Sequence, residues 1–181
     1  MDHIYQNPQF GENWFTYPNP YRDMVKKFPS GSKFVEIGSW KGKSAAFMAV
    51  EIANSGKNIE FTCVDTFHNC QWFPLPEGAQ LYDVFKNNMR PLERYYRDLR
   101  MSSLDAAKLF ENTSLDFVFI DAQHEYEFVK NDIVAWLPKI KAGGILAGHD
   151  YLKQWSGIIS AVNELLSPKI EVSELCWIHS V

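Results

Sequence analysis

From residue 33 onward, short apolar runs alternate with longer segments whose apolar residues recur at helical spacing. "KFVEIG" (33–38) predicts a first strand, and the Ala-rich "GKSAAFMAVEIANSG" (42–56) predicts a helix ended by Gly56. "IEFTCVD" (59–65) reads as a second strand and "QLYDVFKNNMRPLE" (80–93) as a helix. "YYRDLR" (95–100) gives a third strand, and "SLDAAKLFEN" (103–112) a helix begun by a serine cap. "LDFVFID" (115–121) is a fourth strand. Phe128, Val129, Ile133, Trp136 and Leu137 then mark a helix through 125–140. "GGILAGHD" (143–150) is a fifth strand and "WSGIISAVNELLS" (155–167) a last helix. "KIEVSE" (169–174) and "LCWIHSV" (175–181) are two short closing strands. The alternation predicts an α/β domain around a parallel sheet. The first 30 residues, rich in Pro, Asn and aromatics, read as a loop with at most one short helix.

Length and charge narrow the function. At 181 residues the chain is one domain by size. Its 18 basic residues are dispersed against 22 acidic ones, which argues against a nucleic-acid footprint. No apolar run is long enough to span a membrane, and "MDHIYQNPQF" lacks the regions of a signal peptide. Cys63, Cys70 and Cys176 fit no zinc spacing, so a reduced, cytoplasmic setting is expected.

Ligands of such sheets sit beyond the carboxyl ends of the strands. Glu36, Asp65, Asp121 and Asp150 put an acid at four of the five ends. After the first strand comes "EIGSWKGKS" (36–44), whose Gly38 and Gly42 allow a tight turn and close approach of a ligand. It lacks the middle glycine of a nicotinamide fingerprint, Trp40 taking that space, and is one residue short of a P-loop. A plain strand-to-helix turn is the alternative. Asp65 at the second strand end could accept both hydroxyls of a ribose, or cap a turn. Glu36, Gly38 and Asp65 together favour an adenosine-type ligand.

"FVEIGSWKGKSA", "CVDTF", "LYDVFKNNM", "SSLDAAKLF", the long stretch from Leu115 to Tyr151 and the closing "CWIHSV" resemble the class I S-adenosylmethionine-dependent methyltransferases. The resemblance is nearest to the branch of catechol and caffeoyl-CoA O-methyltransferases and of macrolide-sugar and cephalosporin-hydroxylase-like methyltransferases. It implies a Rossmann-like three-layer sandwich, with a seven-stranded, mostly parallel sheet and one antiparallel strand at the C-terminal end. Residues 33–181 would be the cofactor-binding domain and residues 1–32 an extension that could serve as a lid. Glu36 would lie near the methionine ammonium, and the backbone from Gly38 through Ser39 to Gly42 would pass under the methionine part, with Trp40 flanking it. Ser44 would bind its carboxylate at the helix start. Asp65 would hold the ribose, Thr66 and Phe67 would line the adenine, and Met101, Ser102 and Ser103 would meet its edge. Asp121 would close the site.

Methyl transfer needs an aligned acceptor and a base for its proton. In the related enzymes the base follows the fourth-strand aspartate by two or three residues, here Gln123 and His124. Gln123 cannot be a base, which leaves His124, with a local helix-capping role as the alternative. The resemblance also implies a divalent metal on Asp121, His149 and Asp150. The histidine leans the set from Mg²⁺ toward Mn²⁺, Fe²⁺ or Zn²⁺, or toward no metal. Otherwise His149 and Asp150 cap the turn before Tyr151. "TFHNCQWFPLPEGAQ" (66–80) and "ENWFTYPNPY" (12–21) could form an aromatic lid. The expected function is O-methylation of a small sugar or phenol, compatible with a homo-oligomer. A non-catalytic S-adenosylmethionine-binding domain is the alternative, and a nicotinamide oxidoreductase a more distant one.

Overall fold

The computed structural model describes residues 1–69, 75 and 77–181. Cys70 and the aromatic centre of the 66–80 connection fall outside the described residues. The chain enters through helix α1 (Pro18–Lys27) and then alternates β1 (Lys33–Ile37), α2 (Lys43–Ser55), β2 (Glu60–Asp65), α3 (Leu81–Met89) and β3 (Arg97–Arg100). It continues with α4 (Ser103–Ala107), β4 (Leu115–Ile120), α5 (Tyr126–Trp136), β5 (Ile140–Gly148) and α6 (Ser156–Leu166). The hairpin of β6 (Ile170–Ser173) and β7 (Cys176–Ser180) closes it.

The seven strands form one sheet in the order β3-β2-β1-β4-β5-β7-β6. The first five pair in parallel, and β7 runs antiparallel to both β5 and β6, the single reversed strand that the family resemblance implies. Side chains alternate across each strand. Phe117 and Phe119 therefore join one core with α1, α2 and α3, while Val118 and Ile120 join another with α5 and α6. This two-faced burial accounts for the unbroken apolar run of β4.

Two elements depart from the periodicity. Helix α4 ends at Ala107 instead of continuing to residue 112: Lys108 and Leu109 turn to solvent, and Phe110 alone of the remaining stretch packs back, against Trp136. Its cap is Ser102, whose side chain accepts the Asp105 N–H at 3.2 Å. The N-terminal 30 residues pack more tightly than their composition suggests. Phe10, Phe15, Tyr17, Tyr21, Met24, Val25 and Phe28 are all buried in the core on the α2 side. Among the described residues no helix is long and apolar enough to cross a membrane.

Candidate functional site

Strand order reverses between β1 and β4, so their following loops leave to opposite faces and open a crevice at the strand ends. Two glycines shape its floor. Gly38 has φ 90°, and a Cβ there would meet the Asp121 carbonyl oxygen at 1.9 Å. Gly42 starts α2 at φ 88°, where a Cβ would sit 2.8 Å from Met89 Cγ. Trp40 between them has φ 47°, in the left-handed region that side chains disfavour. The two loops are stitched to the sheet by Gly38 N–H donating to Val64 O and Asp121 N–H donating to Ile37 O, both at 2.8 Å.

Glu36, at the end of β1, is 1% exposed. Tyr21 Oη donates to its Oε1 at 2.8 Å and Ser39 Oγ to its Oε2 at 2.7 Å. Burial raises its pKa to about 7, against the lowering effect of hydrogen bonds from Ser44, Ser39 and Tyr21. Ser44 thus turns its hydroxyl toward Glu36 at the start of α2. Asp65 accepts the backbone N–H groups of Trp40 at 2.8 Å and Phe67 at 2.7 Å. It ties the glycine loop to the β2 end, and burial raises its pKa in spite of these donors. A carboxylate has about four acceptor positions, so room remains for a ribose hydroxyl.

The proposed adenine residues divide. Thr66 is exposed and Met101 half-buried at the rim. The Phe67 ring is 2% exposed and packs on Tyr82 and Phe85. Ser102 spends its hydroxyl on the α4 cap, and Ser103 accepts the Trp136 indole N–H at 2.9 Å.

The β4 and β5 ends meet. Tyr17 Oη donates to Asp121 Oδ2 at 2.7 Å. His124 Nε2 lies 3.0 Å from Asp150 Oδ2, and the Trp155 ring lies 4.1 Å from the imidazole. Hydrogen bonding to Asp150 raises the His124 pKa, with burial opposing. His149 is buried. Its Nε2 faces Thr16 Oγ1 at 3.1 Å, and its Nδ1 lies 3.4 Å from Asp150 and 3.7 Å from Asp121. Burial lowers its pKa, but the two carboxylates outweigh burial and bring it to about 9. Burial pushes Asp150 up, and the two histidines more than reverse that, holding it well below the carboxylate range. Gln123 is exposed beside this cluster.

Among the described residues, ligand atoms of Asp121, His124 and Asp150 lie within 4.8 Å of one another. His149 is not part of this convergent set, although its Nδ1 lies beside both carboxylates while its Nε2 faces Thr16. Two carboxylates and one imidazole suit a borderline divalent ion, so the donor chemistry fits a metal. A groove lined by Lys33, Thr62, Arg97 and Phe110 lies toward the amino ends of β1–β4, away from this cluster.

Periodicity alone did not single out Thr16, Tyr17 and Tyr21. The available signal was a pair of tyrosines one helical turn apart, bracketing "PNP" where α1 begins.

The sequence pattern of a methyltransferase-domain family matches residues 35–151. An uncharacterized protein of Sinorhizobium fredii is 26% identical over 118 residues, covering 65% of this chain; the chain spans only 13% of that relative's length. Among solved structures, the O-methyltransferase NovP superposes with a TM-score of 0.70 at 17% identity, over 90% of this chain and 78% of NovP. CalS11, a TDP-rhamnose 3'-O-methyltransferase, does so with a TM-score of 0.63 at 15% identity, over 90% of this chain and 76% of CalS11. The chain, with acids at its strand ends and more than half its length inside the family pattern, belongs to the methyltransferase-domain family.

Proposed function

We propose that this domain transfers the methyl group of S-adenosylmethionine to an oxygen of a small polar acceptor, a sugar or a phenol, in a reduced cytoplasmic setting. The observation that carries the reading is the His124–Asp150 pair at 3.0 Å, beside Asp121 at the crevice. If Nε2–H donates to Asp150, Nδ1 keeps a lone pair for the acceptor hydroxyl. The acceptor oxygen attacks the methyl carbon in line. The carbon–sulfur bond breaks, its electron pair stays on sulfur, and the acceptor proton passes to His124 Nδ1. Asp150 then stabilises the imidazolium. Glu36 would face the methionine ammonium, Asp65 the ribose and Asp121 the methionine end. NovP and CalS11, both named as O-methyltransferases, support oxygen as the acceptor, and the CalS11 substrate supports a sugar. The buried, unpaired thiols of Cys63 and Cys176 suit a reduced compartment.

The convergence of Asp121, His124 and Asp150 favours a second reading, in which these residues hold a divalent ion. Such an ion would orient and acidify an acceptor hydroxyl. The two readings part on His124, as base or as ligand. Labelled S-adenosylmethionine offered with a panel of sugars and phenols tests the reaction, before and after exhaustive chelation. Transfer to oxygen that survives chelation supports the base; transfer abolished by chelation and restored by Mn²⁺ supports the ligand set. No transfer to any acceptor, with S-adenosylhomocysteine still bound, would favour a binding-only domain.

A further inference from the structure

We infer that Tyr17 and Tyr21 are positioning residues of the cofactor site, holding two carboxylates ready for the cationic amino-acid end of the cofactor. The inference rests on the cofactor reading above. The two side chains lie one helical turn apart where α1 begins, with ring centroids 5.2 Å apart. Tyr21 donates to Glu36 at the β1 end and Tyr17 to Asp121 at the β4 end, at 2.8 and 2.7 Å. Both phenols are essentially buried, at 0% and 1% exposure. One N-terminal segment thus reaches the acids on both sides of the crevice.

The kind of donor decides the argument. Elsewhere in the described residues, tyrosine–carboxylate pairs come with a lysine. Tyr82 donates to Asp98 and Lys86 bonds the same carboxylate at 2.7 Å. Tyr126 donates to Glu164 and Lys130 bonds that one at 2.7 Å. Those carboxylates are neutralised, and their pairs join elements of the fold. Glu36 and Asp121 have no lysine or arginine partner among the described residues; the nearest cationic group to Asp121 is His149 Nδ1 at 3.7 Å. A hydroxyl satisfies a lone pair and fixes the orientation of a carboxylate, but brings no positive charge. A buried carboxylate without a counter-charge is costly. Glu36 is such a group, while Asp121 is partly exposed and faces the His149 imidazole; held together at one crevice without lysine or arginine, the two are matched to a ligand that brings its own cations. The amino-acid end of S-adenosylmethionine brings two, an ammonium and a sulfonium. Tyrosine donors keep this negative potential, where lysines would cancel it.

The test is calorimetry with two probes. S-adenosylhomocysteine carries the ammonium; 5′-methylthioadenosine has the same adenosine part and lacks the amino-acid end. Tyr21→Phe keeps the ring and removes only the hydroxyl. It should weaken S-adenosylhomocysteine binding by about tenfold and leave 5′-methylthioadenosine binding unchanged. Tyr17→Phe should show the same selectivity and carries the test if Tyr21→Phe fails to fold. Tyr82→Phe, which removes an equivalent hydroxyl away from the crevice, should alter neither. Wild-type affinity for S-adenosylhomocysteine in both strap variants would overturn the inference, as would equal weakening of both probes, the mark of a structural role. Wild-type protein that binds neither probe would overturn the cofactor reading and this inference with it.

Discussion

At the scale of single residues, the acids were legible and their company was not. Glu36, Asp65, Asp121 and Asp150 stand out because an acid that ends a buried strand is rarely placed there for packing alone. Which atoms each acid engages depends on residues far away in sequence. Asp121 meets Tyr17 across 104 positions and Asp65 meets the backbone of Trp40 across 25, and no local pattern encodes either contact. The hydroxyls of Ser44 and Ser103 illustrate the same limit, since each is drawn inward by a buried partner that the local sequence does not reveal. His124 is the residue whose role is most open to test. His124→Ala should lower turnover by about 10²–10⁴-fold while leaving S-adenosylhomocysteine affinity nearly intact, because it pairs with Asp150, which is not one of the residues assigned to the cofactor. Steady-state kinetics paired with calorimetry checks this. Unchanged turnover would remove the base.

At the scale of elements, strands and long helices were readable because two-faced burial writes continuous apolar runs and one-faced burial writes helical stripes. Leu109 and Phe110 continue an apparent stripe beyond Ala107, but Leu109 is exposed and only Phe110 is covered, so α4 stops short of the helix the spacing predicts. The N-terminal segment was underestimated for the converse reason. Its buried aromatics, Phe10, Phe15 and Tyr17, are irregularly spaced and carry no period. The close contact of the β1 and β4 loops yields a sharp prediction. Gly38→Ala would place a Cβ 1.9 Å from the Asp121 carbonyl oxygen in a backbone held at φ 90°. Two elements would have to separate, at a cost of about 3 kcal/mol or more. Denaturant unfolding measures the loss, and a variant as stable as wild type would contradict the loop contact.

At the scale of the whole molecule, the sheet order is the feature that makes the rest intelligible. The reversal between β1 and β4 brings Gly38 and Asp121 into contact and opens the crevice at that point. Alternation in the sequence predicts a parallel sheet, and the family resemblance implies seven strands with one antiparallel at the C-terminal end, whereas the strand order is not encoded in any local pattern. The molecule also has a pH signature. Burial raises Glu36 to about 7 and Asp132 to about 6, above unfolded carboxyl values near 4. Each therefore favours the folded state most at low pH, and the gain is lost as pH rises through the folded value. His149, raised to about 9 with its carboxylate partners outweighing burial, acts in the same direction, its gain present below about 6.5 and lost through about 9. Asp150, held low by its histidines against burial, opposes only in stronger acid, where its own stabilisation is lost. The ligand-free protein should accordingly melt at a lower temperature at about pH 8.5 than at about pH 6. Equal or higher melting at the alkaline pH would contradict these buried acids. The central claim, that the acids at the strand ends bind the cofactor, is tested most directly by titrating S-adenosylhomocysteine and NAD into wild-type and Asp65→Ala protein in a calorimeter. The account predicts saturable S-adenosylhomocysteine binding to wild type, no binding of NAD, and affinity about 10–100-fold weaker in Asp65→Ala, as expected for one charge-assisted hydrogen bond lost. Binding of NAD without S-adenosylhomocysteine, or unaltered S-adenosylhomocysteine affinity in Asp65→Ala, would contradict it.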